Sequence, residues 1–395
     1  MLGTIFSFLI GIIAGTLTGL TPGIHTNLIA TSIISIPILL KLPTSYFLIF
    51  ITATSITHTF LNFIPSIFLG APDSDTCLGI LPGHKFLLKG HGHHATKLTL
   101  TGSVIAIISL IIIIPIFFFI IPKIYPIIKQ MMGFILIWIS IFLLLNESNK
   151  TTSILIFLLA GFLGMSTFNL NLPNPLLPLL TGLFGTSTII HSIKTKSIPP
   201  KQIIENFSIK KSKLIKPTLA TILISPICSL LPGLGSSQAA IISSSIFKKL
   251  NNEQFMILLG SINTLIMSTS FLTLYLFQKT RTGTAAAISQ ILNISSRNLI
   301  TILITIILTS LLAIPLTLFS SKTIAKQIHK INYTKISYTI LIFLILITIY
   351  FTGILGLLVL IVSTLLGLTC IELETKRNLL MASILIPTII FYLPF

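Results

Sequence analysis

Asp73 and Asp75 are the only aspartates in the 395-residue chain. They stand two residues apart in APDSDTCLGILPG, residues 71–83. Carboxylates beside long apolar runs can hold a proton or a sodium ion. They can equally cap the N-terminus of a helix over 76–88. Two Pro-Gly pairs carry a second kind of chemistry, in GLTPGIHTNLIA, 19–30, and SLLPGLGSSQAA, 229–240. Proline lacks an N–H and disfavours helix at the residue before it, and glycine tolerates unusual dihedrals. Pro22-Gly23 and Pro232-Gly233 therefore free backbone groups inside apolar runs. The half-helix that starts after each break offers unpaired N–H groups and the positive end of a dipole, which suits an anion. Thr26, Asn27, Gly235, Ser236, Ser237 and Gln238 line the breaks and can complete a substrate site. The alternative is a proline kink packed in a bundle, its hydroxyls bonded back to carbonyls.

Further polar residues fall within apolar runs. His25 and His58 can act as pH-sensitive gates or sit satisfied in the core. Asn62 and Asn263 can contact substrate or join helices. His91, His93 and His94 form HGHH, which reads as part of a solvated loop; the spacing is too generic to define a metal site. No resident cofactor is expected, only Na+ or H+ as a coupling ion. Cys77, Cys228 and Cys370 are scattered without paired spacing, so no disulfide framework follows.

The elements that must position these residues follow from composition. The chain is 53% hydrophobic and 8% charged, with mean hydropathy +1.04. A soluble protein has roughly 25% charged residues. The apolar runs are helix-length and rich in Ile and Leu, so an all-α polytopic membrane protein is expected, with roughly 10 to 14 helical segments. The net charge of +18 does not indicate nucleic acid. Its lysines and arginines lie in short loops, most densely at 194–216 and 321–335, as cytoplasmic loops in contact with anionic lipid do. Residues 1–20 lack a basic leader and a cleavage site, and read as a retained helix.

Apolar runs fall near 3–20, 24–40, 45–69, 96–121, 127–145, 152–169 and 176–191. They resume near 214–231, 234–247, 254–277, 298–319, 337–352, 354–369 and 379–394. Two short polar-edged pieces, near 74–90 and 282–292, cannot span a bilayer core of about 30 Å. The two series match in order, with Pro22-Gly23 and Pro232-Gly233 at an offset of 210. This predicts a first transmembrane repeat over 1–195, a basic linker over 196–213 and a second repeat over 214–395. A repeat with broken or re-entrant helices at matched positions is the pattern of a secondary transporter. At the place matching the acidic segment 67–94, the second half carries Lys279 and Arg281, which predicts one cation site and one anion site.

Four stretches carry a family resemblance: GTLTGLTPGIHTN (15–27), APDSDTCLGILPGHKFLLKG (71–90), NLPNPLLPLLTGLFGTSTII (171–190) and LLPGLGSSQAAIIS (230–243). In this order they resemble the TctA large membrane subunit of tripartite tricarboxylate transporters, most closely its archaeal branch. The resemblance implies a multi-pass permease of the cell membrane with a duplicated fold. It implies citrate-like carboxylates moved on an ion gradient, beside a small membrane subunit and an extracytoplasmic solute-binding protein. The chain departs from that pattern in having Ile24-His25 after its first Pro-Gly and no Pro-Gly after residue 278.

The reading is an ion-coupled permease for an organic anion, with Asp73 or Asp75 coupling the ion. The alternatives are a flippase for lipid phosphates or polyprenyl carriers and, less favoured, an intramembrane metal-dependent enzyme. The carboxylates have no second acidic cluster to work with, and no G-x-x-x-x-G-K-[ST] motif offers nucleotide drive.

Overall fold

A computed structural model describes residues 2–21, 26, 29, 43–70, 75–145, 147, 149–194, 200–204, 209–230, 235–247, 250–280, 282–330 and 333–393. Every regular element among them is helical. The first half contributes α1 (Leu2–Leu20), α2 (Thr44–Leu61), α3 (Phe63–Phe68), α4 (Ile80–Leu88), α5 (Gly92–Phe119), α6 (Ile121–Leu145) and α7 (Lys150–Asn169). It closes with α8 (Leu176–Leu180), a π turn (Thr181–Thr186) and α9 (Ser187–Lys194). The second half contributes α10 (Ser212–Leu230), α11 (Ser236–Ile246), α12 (Asn252–Phe277), α13 (Gly283–Ile291), α14 (Ser296–Gln327), α15 (Tyr333–Glu372) and α16 (Ala382–Tyr392).

Ten segments among the described residues are long and apolar enough to cross a bilayer. Their outer faces bear large apolar side chains, such as Phe119 at 73% exposure and Ile354 at 75%. Water would not tolerate such a belt, and lipid does. The molecule is an all-α, multi-pass membrane protein. Its two central spans are α2–α3, 89% buried, and α12, 94% buried, against 28% for α1.

Small residues set the packing. Without a hydrophobic drive between helices in lipid, association depends on close backbone approach. Gly11, Gly15 and Gly19 put α1 directly on α2; a Cβ on Gly15 would stand 2.5 Å from the Thr54 carbonyl oxygen. Contacts advance together along both helices, Gly11 with Ala53 and Gly19 with Leu61, so α1 and α2 run parallel. In the same way Lys213 pairs with Glu253, Thr221 bonds to Ser261, and Thr273 Oγ1 donates to the Ser229 carbonyl. Thus α10 and α12 run parallel too.

The two pairs point in opposite directions. Gly102 and Gly260 bring α5 onto α12 in parallel, Thr99 at Gly260 and Ser103 at Thr264. Phe68, at the end of α3, packs on Gly92 at the start of α5. So α1 and α2 run toward the face from which α10, α12 and α5 depart. His93 in the first turn of α5 meets Ser321 near the end of α14, so those two run antiparallel. The departing face carries the basic linker: Ile203 N donates to the Gly90 carbonyl at 2.8 Å, and Gly92 N to Gln202 Oε1 at 2.8 Å. Under the positive-inside rule this face is cytoplasmic.

The 40-residue α15 is itself a hairpin. Gly353 has φ +66° and ψ −163°, outside helical space. Ile340 and Leu344 cluster with Ile189, while Gly367 packs on Leu183 and Ser187. In a straight helix Ile340 and Gly367 would lie about 40 Å apart, yet both meet the same short stretch. The separation between the apolar runs 337–352 and 354–369 therefore falls at this reversal.

Candidate functional site

The site is assembled from three interruptions in helix and the polar middle of a fourth, unbroken one. At the first, α2 gives way to α3 at Asn62 (φ −65°, ψ −14°). Pro65 lacks the N–H that would bond the Leu61 carbonyl, so the ladder loosens here. The second is the turn at Asp75 and Thr76 that leads through the 3₁₀ turn Cys77–Gly79 into α4. The third is the start of α11, where Gly235 is extended (φ −79°, ψ −179°) and Gln238 Oε1 accepts from Gly235 N at 2.7 Å. The fourth is the polar middle of α12, where Asn263 lies 11 residues in. That is about 17 Å of rise, close to the centre of a core about 30 Å thick.

These four meet. Ser236 N donates to Asp75 Oδ1 at 3.3 Å, and Ser237 Oγ donates to the Asp75 carbonyl at 3.4 Å. Ser236 Oγ donates to Asn263 Oδ1 at 3.3 Å, and Asn263 Nδ2 to Asn62 Oδ1 at 3.2 Å. Cys77 Sγ lies 3.1 Å from Ser237 Oγ. A second layer supports the first: Ser66 Oγ donates to Thr76 Oγ1 at 2.6 Å, and Thr264 Oγ1 to Ser103 Oγ at 2.9 Å. α11 has 11 residues, far too short to cross a bilayer. It is a half-helix whose positive end rests at mid-depth on a carboxylate.

Of the predicted residues, the structure thus joins Asp75, Ser236, Ser237, Asn62 and Asn263, with Gly235 and Gln238 shaping the start of α11. Asp75 supports this half-helix of the other half of the chain. The first position of its own short helix, Thr76, has no side-chain cap. Pro22, Gly23, His25, Asn27, Asp73, Pro232 and Gly233 lie outside the described residues. Thr26 is fully buried elsewhere, among Phe50, Ile51 and Thr54 of α2 and Thr284 of α13. His58 is buried between α1 and α2, its Nδ1 3.1 Å from Thr18 Oγ1.

One expectation needs correction. HGHH is not a solvated loop: His93 and His94 are buried in the first turn of α5, His93 Nδ1 2.9 Å from Ser321 Oγ and His94 edge-on to Phe86. Of the basic pair expected opposite the acidic segment, Lys279 is exposed and donates to Tyr125 Oη at 2.7 Å, and Arg281 lies outside the described residues; Thr282 caps α13. Among the described residues no group of three His, Cys, Asp or Glu is placed to hold a metal.

Sequence reasoning passed over Arg377, in the 3₁₀ turn Arg377–Met381. It is one of three arginines in the chain and follows the polar stretch ELETK between two apolar runs, a signal that was available. Cys77 was noted only as an unpaired cysteine.

A helical bundle with a half-helix ending at mid-depth on a carboxylate has the build of a membrane transport protein. Residues 5–382 match the model of the tripartite tricarboxylate transporter TctA family, and the chain belongs to that family. It is also similar to an uncharacterised protein of Methanocaldococcus jannaschii, 30% identical over 98% of both chains. No solved structure matches.

Proposed function

We propose that the chain is an ion-coupled secondary transporter for an organic anion, a di- or tricarboxylate, which binds at the N-terminus of α11. The observation that carries this is the Ser236 N to Asp75 Oδ1 bond, level with Asn263 in the middle of α12. A helix N-terminus favours negative charge, and here an internal carboxylate occupies the position that a substrate carboxylate would take. A proton or sodium ion that neutralises Asp75 weakens its hold on α11. The freed N–H groups, with Ser237, Asn263 and Asn62, then receive the substrate. Ion and anion enter together, which couples them. Pro232-Gly233, just before α11 in the sequence, belongs to the site in this reading, and Pro22-Gly23, Thr26 and Asn27 are the candidates for its counterpart in the other half. Asp73 is a second candidate for the ion.

The opposed directions of α1–α2 and α10–α12 support reading the halves, 1–195 and 214–395, as inverted repeats, the arrangement in which alternating access rocks one half against the other. The family's name supports carboxylate substrates and a three-part assembly with a small membrane subunit and a solute-binding protein. The test is uptake of labelled citrate and a carboxylate panel into liposomes, with sodium and proton gradients imposed separately, with and without those two partner subunits. Gradient-driven uptake by the chain alone would define a stand-alone permease; uptake only with partners would define the three-part system. No uptake in either case would sink the reading, and a fluorescent-lipid scrambling assay would then test the flippase alternative.

A further inference from the structure

The Arg377 side chain reaches back from its turn to the π turn of the first half. Nη2 donates to the carbonyls of Leu183 at 2.8 Å and Phe184 at 2.9 Å, and to Ser187 Oγ at 3.0 Å. Nη1 donates to Thr188 Oγ1, and the Phe184 ring lies 5.3 Å from the guanidinium carbon. Every one of these partners is neutral. Among the described residues no carboxylate pairs with Arg377, and its buried Nε has no hydrogen-bond partner. Burial pushes the guanidinium down to about 10. A cation held this way, short of a counter-ion, is costly unless something negative visits it.

The same residue lines a cavity of about 410 Å³, together with Cys77, Lys85, Phe184, Asn252 and Lys376. That volume suits a small-molecule ligand. Among the described lining residues Glu374 is the one carboxylate, and Lys376 is already bonded to Glu147 at 2.9 Å. The mouth lies on the basic-linker face, since Asn252 opens α12 there and Glu253 beside it pairs with Lys213. The floor touches the candidate site through Cys77, whose sulfur meets Ser237.

We propose that Arg377, with Lys85, forms a second carboxylate-binding subsite in a cytoplasm-facing vestibule, one residue away from the N-terminus of α11. This deepens the organic-anion reading and rests on it. Nε–H is the guanidinium N–H group left without a partner, and a carboxylate oxygen can accept from it in a charge-assisted bond. Lys85 supplies a compact second charge near the mouth. A di- or tricarboxylate has a spare carboxylate for this position before it moves inward.

The experiment measures citrate binding to the full chain in phosphatidylcholine nanodiscs by calorimetry, comparing wild type with Arg377→Gln and Arg377→Lys. Gln should weaken binding by about tenfold or more, since the charge and its charge-assisted bond are lost. Lys, which keeps the charge without the Nε–H, should fall between. A second arm leaves Arg377 intact: maleimide labelling of the Lys85→Cys thiol should slow with citrate, but not with inorganic phosphate or with chloride at equal ionic strength. This arm decides the matter if the Arg377 variants fail to fold. Binding by Arg377→Gln within twofold of wild type, or labelling indifferent to citrate, would overturn the subsite while leaving the transport reading in place. Equal protection by phosphate would overturn its assignment to carboxylates. Wild type that binds no carboxylate would overturn the transport reading itself.

Discussion

Replacing Asp75 by Asn keeps the shape and the oxygen acceptor but removes the charge. In the structure Asp75 Oδ1 accepts from Ser236 N at 3.3 Å at the start of an 11-residue helix. A hydrogen bond to a charged group contributes about 1.5–3 kcal/mol and a neutral one about 0.5–1.5. The helix end adds about 0.3–2 kcal/mol for a negative charge. The substitution therefore weakens the internal bond by about 1–3 kcal/mol, which is about fivefold to 150-fold in a competition. A substrate carboxylate must displace Asp75 to reach Ser236. Asp75→Asn should accordingly bind citrate about fivefold to 150-fold more tightly than wild type when the coupling ion is absent. Its uptake should no longer respond to the ion gradient. Calorimetry in ion-depleted nanodiscs and gradient-driven liposome uptake measure the two quantities. An Asp75→Asn protein with unchanged ion dependence and unchanged ion-free affinity would refute the competition.

Four other substitutions test the framework. Asn62→Ala and Asn263→Ala, singly and together, should show a coupling of about 0.6–1.7 kcal/mol in thermal unfolding, since one amide donates to the other; additive effects would mean the bond contributes nothing. Gly353→Ala forces a Cβ into φ +66°, ψ −163° and should cost about 1–3 kcal/mol, read as a lower melting temperature in detergent. A neutral result would mean that α15 does not reverse there. Gly15→Val should destabilise by about 1–3 kcal/mol, because even the first side-chain carbon meets the Thr54 carbonyl at 2.5 Å; unchanged stability would count against the α1–α2 contact.

Much of the architecture was readable because lipid imposes it. Long Ile- and Leu-rich runs must be helices, and the short pieces near 74–90 and 282–292 appear as Cys77–Leu88 and Gly283–Ile291. The polar residues at the second Pro-Gly and at Asn62, Asn263 and Asp75 were legible one by one. Their meeting was not, because Ser236 and Asp75 are 161 residues apart and the bond depends on how the halves are docked. His93 and His94 misled for a similar reason: HGHH is polar by composition, but Ser321 of the distant α14 and Phe86 of α4 pack on it. The docking place of Arg377 was not legible because it bonds two carbonyls of a π turn and the Ser187 and Thr188 hydroxyls, about 190 residues away in the chain.

The central claim is that a substrate carboxylate and Asp75 compete for the start of α11. A cryo-electron microscopy structure of the wild-type chain in nanodiscs would test it most directly. It would be determined with the carboxylate that the uptake panel selects and a saturating coupling ion. The account predicts carboxylate density at the Ser236 N–H, within reach of Ser237 and Asn263, with the Asp75 carboxylate withdrawn from Ser236. Substrate bound elsewhere, with Asp75 still on Ser236, would contradict it.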